Sequence, residues 1–416
     1  MKSFLKSLLI KILIIESKII LKKYKPSIIT VTGSVGKTST KDAIYTVLEK
    51  TGHIRKSDKS FNSEIGVPLT ILGCPNGWDD PAIWLRNMLK GLELIMFNSK
   101  YPECLVLEIG ADHPGDIQKM ASWLKSDIVV ITKVSEVPVH VEFFKSPEEV
   151  FQEKFSLTKS LKDSGVLIIS ADDRKLFNES LKIKQKVMTF SIDNLSTVAA
   201  TEIELEPSFG MVFKIKHDDK KYTIKIEKVI GNQQIYPIIA AITVGLARSL
   251  TIDQMIESLK NHVPPRGRMN ILSGLNGSTI IDDTYNSSPD ALSEALSTLS
   301  KVNVTGRKIA VLGDMMELGK FSFDEHKKAG EKAKVSCNIL ITVGPRSKQM
   351  AENDIHFNSS IETGEYLKTI VQKGDIVLVK GSQFIRLERA TKAILAEPDR
   401  AKDLLVRQDA EWLAKK

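Results

Sequence analysis

Residues 28–44 read IITVTGSVGKTSTKDAI. A β-branched run leads into Gly33-Ser34-Val35-Gly36-Lys37-Thr38-Ser39, and a helix-like segment follows. Strand, glycine-bearing loop and helix in that order make a phosphate cradle. Gly33 and Gly36 let successive backbone N–H groups converge on one anion, and the helix adds the positive end of its dipole. Lys37 supplies a point charge for β- and γ-phosphates, and the Thr38 hydroxyl is placed to hold a magnesium ion. Val31 stands where the full G-x-x-x-x-G-K-[ST] pattern has its first glycine, so a plain Gly-Lys-Thr turn is the alternative reading.

Outward from this loop, strand-like and helix-like segments alternate from residue 27 to about 264, as in a parallel α/β sheet. SIITVT, CLVLEIGA, DIVVITKV and GVLIISADD read as buried strands that end in polar residues, and sites in such sheets collect at those carboxyl ends. Residues 201–229, TEIELEPSFGMVFKIKHDDKKYTIKIEKV, change to a period of two and carry turn residues, which predicts an antiparallel flap. IYPIIAAITVGLARSL returns to helix. NHVPPRGRMNIL, with two prolines and a glycine, predicts a hinge. Beyond it STIIDDTY, KIAVLGDM, NILITVG and DIVLVKGS predict a second, Rossmann-like α/β domain. The expected organisation is an apolar helix over 1–26, a central ATP-binding domain over 27–264 and a C-terminal domain over 265–416.

The chain has 416 residues, enough for two or three domains with sizeable cores. Its net charge of +8 suits anionic partners, but the lysines are scattered and no aromatic-interleaved basic tract occurs, which argues against nucleic acid. The three cysteines, at 74, 104 and 337, form no CxxC pair, so neither a disulfide framework nor a zinc site is expected and the reading is cytoplasmic. Residues 1–23 are rich in Leu and Ile, yet Lys6, Lys11, Glu16 and Lys18 interrupt them, too often for a spanning helix. Two readings stay open: a helix packed on the next domain, or an interfacial helix at the inner face of an anionic membrane.

Glu108 ends the strand CLVLEIGA and precedes GADHPGD, the position of a magnesium ligand beside a phosphate loop. His140 lies just past another strand end; alone it reads as a hydrogen-bonded structural histidine. Lys154 follows 14 residues later among Glu148, Glu149 and Glu153, where a lysine ordinarily is a surface charge paired at helical spacing.

Taken together, TGSVGKTST, FNSEIGVPLTIL, LEIGADHPGDI, the His140 to Lys154 spacing, PPRGRM, IDDTYNSSPDAL, VLGDMMELG and VLVKGSQFIRLERA occur in the order found in Mur ligases, which the chain resembles from about residue 27 to 395. In detail it is most similar to the branch that adds D-alanyl-D-alanine to a UDP-N-acetylmuramoyl tripeptide in peptidoglycan synthesis. The resemblance implies an ATP-dependent amide ligase working through an acyl phosphate, with two magnesium ions. It assigns Lys37 to the transferred phosphoryl group, Thr38 and Glu108 to the first metal, and His140 with a carbamylated Lys154 to the second. Arg268 would reach the nucleotide phosphates, Asp283 the ribose, with Tyr285 and Asn286 beside it, and Gln234 the adenine. Asn62 and Glu64 would contact the acceptor, and Lys380, Gly381 and Ser382 the amine.

The chain also departs from the family. Mur ligases usually carry an N-terminal domain that binds the uridine nucleotide, whereas here the apolar helix alone precedes the loop. Ser63 replaces a second asparagine, Asp112 replaces the asparagine of GAN, and GNQQIYP replaces GxHNxxN. A ligase of the same chemistry with another acceptor, such as folylpolyglutamate, poly-γ-glutamate or pseudomurein, and a silent ATP-binding scaffold are the competing readings.

Overall fold

Helix α1 (Lys2–Tyr24) runs into β1 (Ser27–Thr32), the strand that delivers the phosphate loop. The computed structural model describes residues 2–58, 61–192, 194–206, 209–218, 220–351 and 355–414. After the loop come α2 (Lys37–Leu48), β2 (Ile54–Lys56), α3 (Gly66–Leu72), α4 (Pro81–Met96), β3 (Cys104–Glu108), α5 (Asp116–Ala121) and β4 (Ser126–Ile131). They are followed by α6 (Pro147–Phe155), β5 (Leu161–Ser170), α7 (Arg174–Ser180) and β6 (Lys186–Ser191). The strands stand in the order β2-β3-β1-β4-β5-β6, all parallel. Every residue of β3 is buried, as it must be in a parallel sheet covered by helices on both faces.

The alternating segment forms β7 (Val198–Glu206), β8 (Gly210–His217) and β9 (Lys220–Ile226). This is the expected antiparallel flap, and it continues the main sheet at its far edge. Phe190 and Ser191 pair in parallel with Val198 and Ala199, and β8 and β9 then add antiparallel, making nine strands. The turn residues 207–208 and 219 lie outside the described residues. Helices α8 (Ile235–Ala247) and α9 (Ile252–Leu259) close one face with α2, where Ile44, Val47, Ile239 and Ile242 meet β-strand residues Val106 and Val130.

On the other face α1 contributes Leu13 and Ile20 to a core with Leu69, Leu105 and Leu167. Lys23 Nζ donates to the carbonyls of Leu94, Ile95 and Phe97, satisfying the end of α4, and the Tyr24 ring stacks on Tyr101. So α1 is a packed helix, and none of the described helices is long and apolar enough to cross a membrane.

A second sheet is built from β10 (Asn270–Ser273), β11 (Thr279–Asp283), β12 (Lys308–Gly313), β13 (Ile339–Val343), β14 (Ile355–Phe357) and β15 (Ile376–Lys380). Helices α10 (Pro289–Lys301), α11 (Ser322–Ser336) and α12 (Ser360–Ile370) alternate with its strands. The order is β10-β11-β15-β12-β13-β14, and only β10 is antiparallel. Because β15 is inserted between β11 and β12, Asp283, Gly313 and Lys380 come to neighbouring carboxyl ends. Those ends face the phosphate loop of the first sheet.

Candidate active site

Gly33 at φ 145° and Gly36 at φ 84° turn the loop, and Gly36 caps α2. Thr132 at the end of β4 holds the loop shut: its hydroxyl donates to Val35 O at 2.6 Å, while Ser34 N donates to Lys133 O at 2.7 Å. A side chain at Gly33 would collide with that same hydroxyl. Lys37 folds its ammonium back to Gly33 O at 2.9 Å, and burial lowers its pKa against the attraction of Glu108. Thr38 Oγ1 donates to Glu108 Oε1 at 3.2 Å, and Asn62 Nδ2 reaches the same oxygen at 3.4 Å. Lys41 stands 3.9 Å from the other oxygen and is tied to Ser57 O. Glu108 is thus a buried carboxylate ringed by donors. Glu64, two residues past Asn62, is exposed.

Lys154 does not behave as the surface lysine of an ion-paired helix. It is 3% exposed, and its ammonium has neither a hydrogen bond nor an ion pair among the described residues. The glutamates beside it are all engaged elsewhere. Glu148 pairs with Lys175, Glu149 accepts from Lys145 N, and Glu153 caps α5 by accepting from the backbone N–H groups of Gly115, Ile117 and Gln118. Burial, and then the nearby charge of Lys37, push the Lys154 pKa down to about 7. We expect Glu153→Ala to cost about 2–3 kcal/mol in chemical denaturation, because buried donors that met a carboxylate would be stranded.

The loop capped by Glu153 carries Asp112, whose Oδ1 lies 3.6 Å from His140 Nε2 and whose charge acts on both Lys37 and Lys154. His140 Nδ1 lies 2.7 Å from Glu317 Oε2, on the loop after β12. His140 and Glu317 both adopt left-handed backbone, at φ 69° and 63°, and Glu142 N donates to Glu317 O, so the two sheets meet here through backbone and side chain alike. Beneath that loop the buried His326 accepts from Met315 N at 2.9 Å and is hydrogen-bonded through Nδ1 to Ser322 O, which fixes its tautomer. Ser382 Oγ accepts from Met316 N on the same loop, and Gly381 packs on Gly313, so both brace that loop.

A cavity of about 290 Å³ opens between the sheets. Val35 and Gly36 of the loop, with Ser39 and Thr40 of α2, form one wall, and Arg268, Asp283 and Lys380 form the opposite one. The Arg268 guanidinium carbon lies over the Tyr285 ring, 4.1 Å from its centroid, and Gln234 Nε2 donates to Arg268 O at 2.8 Å. Lys380 Nζ lies 2.6 Å from Asp283 Oδ2 and also donates to Asn286 O. Asp172, Phe190 and Tyr236 also line the cavity, with Tyr236 OH donating to Asp172 Oδ2 at 2.8 Å. Among the site residues that the sequence did not single out are these three and Glu317, while Asp112 stood out only as a departure from GAN. The one linear signal of the three is that GVLIISADD ends in paired aspartates at a strand's carboxyl end.

Thr38 and Glu108 fit a magnesium ion in donor chemistry: one hydroxyl and one carboxylate, with the remaining positions supplied by phosphate oxygens and water. Among the described residues no cluster of three His, Cys, Asp or Glu side chains could hold a metal alone.

Residues 31–245 match the Mur ligase middle domain and residues 267–383 the Mur ligase glutamate ligase domain. The chain is 27% identical over 394 residues to the UDP-N-acetylmuramoyl-tripeptide–D-alanyl-D-alanine ligase of Bacillus subtilis, covering 92% of this chain and 79% of that protein. The ligase of the same name from Mycobacterium tuberculosis is 28% identical over 401 residues, covering 89% and 73%. The crystal structure of MurF ligase from Thermotoga maritima with ADP superposes at a TM-score of 0.80 and 26% identity, covering 95% of this chain and 84% of that one. A pseudomurein peptide ligase from Methanothermus fervidus shares the fold at a TM-score of 0.65 and 17% identity, covering 88% and 78%. With the middle-domain match alone spanning half of its length, and the phosphate loop lying at the start of that match, the chain belongs to the Mur ligase family.

Proposed function

We propose that the chain joins D-alanyl-D-alanine to the terminal carboxylate of a UDP-N-acetylmuramoyl tripeptide in peptidoglycan precursor synthesis. Mur ligases are ATP-dependent ligases, and ATP is the co-substrate here. The observation that carries the reading is the cavity whose walls are the phosphate loop on one side and Arg268, Asp283 and Lys380 on the other. The names of the relatives, spread over nine-tenths of the chain, supply the acceptor and the amine.

In this reading the loop N–H groups and Lys37 grip the β- and γ-phosphates, Lys37 leaving Gly33 O to do so. A carboxylate oxygen of the acceptor attacks the γ-phosphorus and ADP leaves; the amine nitrogen of the dipeptide then attacks the acyl carbon, phosphate leaves, and the nitrogen loses a proton. Thr38 and Glu108 would hold one magnesium ion, and His140 with carbamylated Lys154 a second. Magnesium, when bound, neutralises charge on the transferred phosphoryl group. Arg268 adds a positive charge from the opposite wall, Asp283 meets the ribose, and Tyr285 and Asn286 shape that corner. Gln234 acts by holding Arg268 in place, next to the base-sized end formed by Phe190 and Tyr236. Asn62 and Glu64 face the acceptor, and the 380–382 segment the amine.

We read residues 27–264 as the ATP-binding domain and 265–416 as the amine-binding domain, closing about Pro264-Pro265. The work is positioning and charge neutralisation, and its setting is the cytoplasm. The test is phosphate release from ATP with magnesium, with UDP-N-acetylmuramoyl-tripeptide and D-alanyl-D-alanine each added or withheld. Release that requires both, with a product heavier by the dipeptide less water, is expected. Release indifferent to both would move the acceptor to another class.

A further inference from the structure

Helices α1 and α4 lie side by side, running the same way: Glu16 meets Gly91, and one to two turns on Lys23 meets the end of α4. A Cβ at Gly91 would collide with the Glu16 carboxylate, so the two backbones approach closely. Each helix buries one row of side chains and leaves a second apolar row in solvent. On α1 that outer row is Leu8, Ile15 and Ile19, at 46%, 57% and 43% exposure. On α4 it is Leu85, Leu89, Leu92 and Met96, at 56%, 56%, 47% and 71%.

Helical spacing makes the two rows one surface. Ile19 lies one turn from Glu16, on the side of α1 that faces α4; Leu92 and Met88 flank Gly91 in the same way. The outer apolar rows therefore border the α1–α4 seam from both sides. Beyond them on α1 comes a row of exposed lysines, Lys11, Lys18 and Lys22, none of which has an acidic partner among the described residues. The acid nearest to them on α1, Glu16, is buried in the seam. On the far side of α4 stand the exposed Arg86 and an ion pair of Lys90 with the exposed Glu93.

We propose that this face is where the protein lies on an anionic lipid surface, with the two apolar rows sunk at the headgroup boundary and the lysine row at the lipid phosphates. An exposed apolar ridge of this extent, edged on one side by unpaired cations, has the composition of an interfacial contact. A second copy seated on this face with its helices antiparallel would bring two lysine rows together, whereas an anionic headgroup layer meets the row in any orientation. The contact lies on the surface, since no described helix can cross a bilayer. It stands independently of which acceptor the ligase uses.

The test is flotation of the full chain with vesicles of phosphatidylcholine alone or with about one-third phosphatidylglycerol. Deleting α1 would remove Leu13 and Ile20 from the core, so the informative variants are at exposed positions. Binding is expected on the anionic vesicles only, and to fall away at high ionic strength. Leu89→Glu with Leu92→Glu should weaken it about tenfold or more. Lys11→Glu, Lys18→Glu and Lys22→Glu together should weaken it on the order of a hundredfold. Thermal unfolding and phosphate release should be unchanged in both variants. Absence of binding to anionic vesicles, or binding that survives both sets of changes, overturns the proposal. So does a dimer in solution that Leu89→Glu with Leu92→Glu dissolves, since the face would then belong to a second copy.

Discussion

Lys154→Ala is expected to reduce ligation on the order of a thousandfold or more, and a short-chain carboxylic acid is expected to restore part of it. The Lys154 side chain is buried, without an ion-pair partner among the described residues, and beside the ammonium of Lys37. A permanent second cation there would repel both Lys37 and the magnesium that Thr38 and Glu108 would hold. An amine with a pKa of about 7 is roughly half neutral at that pH, whereas an ordinary lysine is neutral in about one molecule in a few thousand. The neutral amine can take up carbon dioxide as a carbamate, which replaces a misplaced cation with an oxygen anion able to serve a metal. Truncation to alanine leaves a space that a small carboxylate can fill with the same charge. Wild-type activity should fall as pH drops below about 7, because protonation removes the nucleophilic amine, while the acid-rescued variant should lack that component. The unfolded chain keeps this proton up to the ordinary lysine range and the fold sheds it near 7, so for the free amine stability rises with pH between those values. Lys154→Met is accordingly expected to raise the unfolding temperature at acidic pH while abolishing ligation. Full activity of Lys154→Ala without added acid would sink the carbamate.

The contrast between this residue and its neighbours shows what a linear reading can reach. The phosphate loop was legible because all its parts are local: Gly33 to Gly36 turn between β1 and α2, and Lys37 to Ser39 open α2. Glu108 was legible because strand ends are sites. Asp112 and Glu317 were not, since their meeting at His140 depends on docking two sheets that are far apart in sequence. The same holds for Tyr236 on Asp172, which joins the start of α8 to the end of β5. The antiparallel strands were visible from their period, but their continuity with β6 rests on two residue pairs, Phe190 with Val198 and Ser191 with Ala199, that no periodicity reveals. Strands β2 and β14 are three residues each, too short to show a period at all. Helix α1 was ambiguous for a different reason. Its buried and exposed rows are both Leu and Ile, so apolar content could not say which face was covered.

Lys380→Met is expected to cost about 3–5 kcal/mol of stability, and this loss separates its structural role from its place in the ATP cavity. Lys380 pairs across β15 and β11 with Asp283, their side chains 1% and 8% exposed, and the two strands place them directly opposite. Burial lowers the lysine's pKa, and the Asp283 carboxylate pulls it back toward the charged form. Removing the cation leaves Asp283 as a buried carboxylate next to Asp282, whose own pKa burial already raises to about 7. The penalty is therefore the cost of a stranded charge more than the worth of the pair. Adding Asp283→Asn to Lys380→Met takes that charge away and should return most of the stability, a coupling expected between groups in contact. It should not return ligation, because both side chains wall the cavity where ATP is proposed to bind. Denaturant midpoints and ATP-dependent phosphate release on the single and double variants separate the two effects. A double variant as active as the wild type would reduce the pair to scaffolding, and a single variant of unchanged stability would mean that Asp283 finds another partner when its lysine is gone.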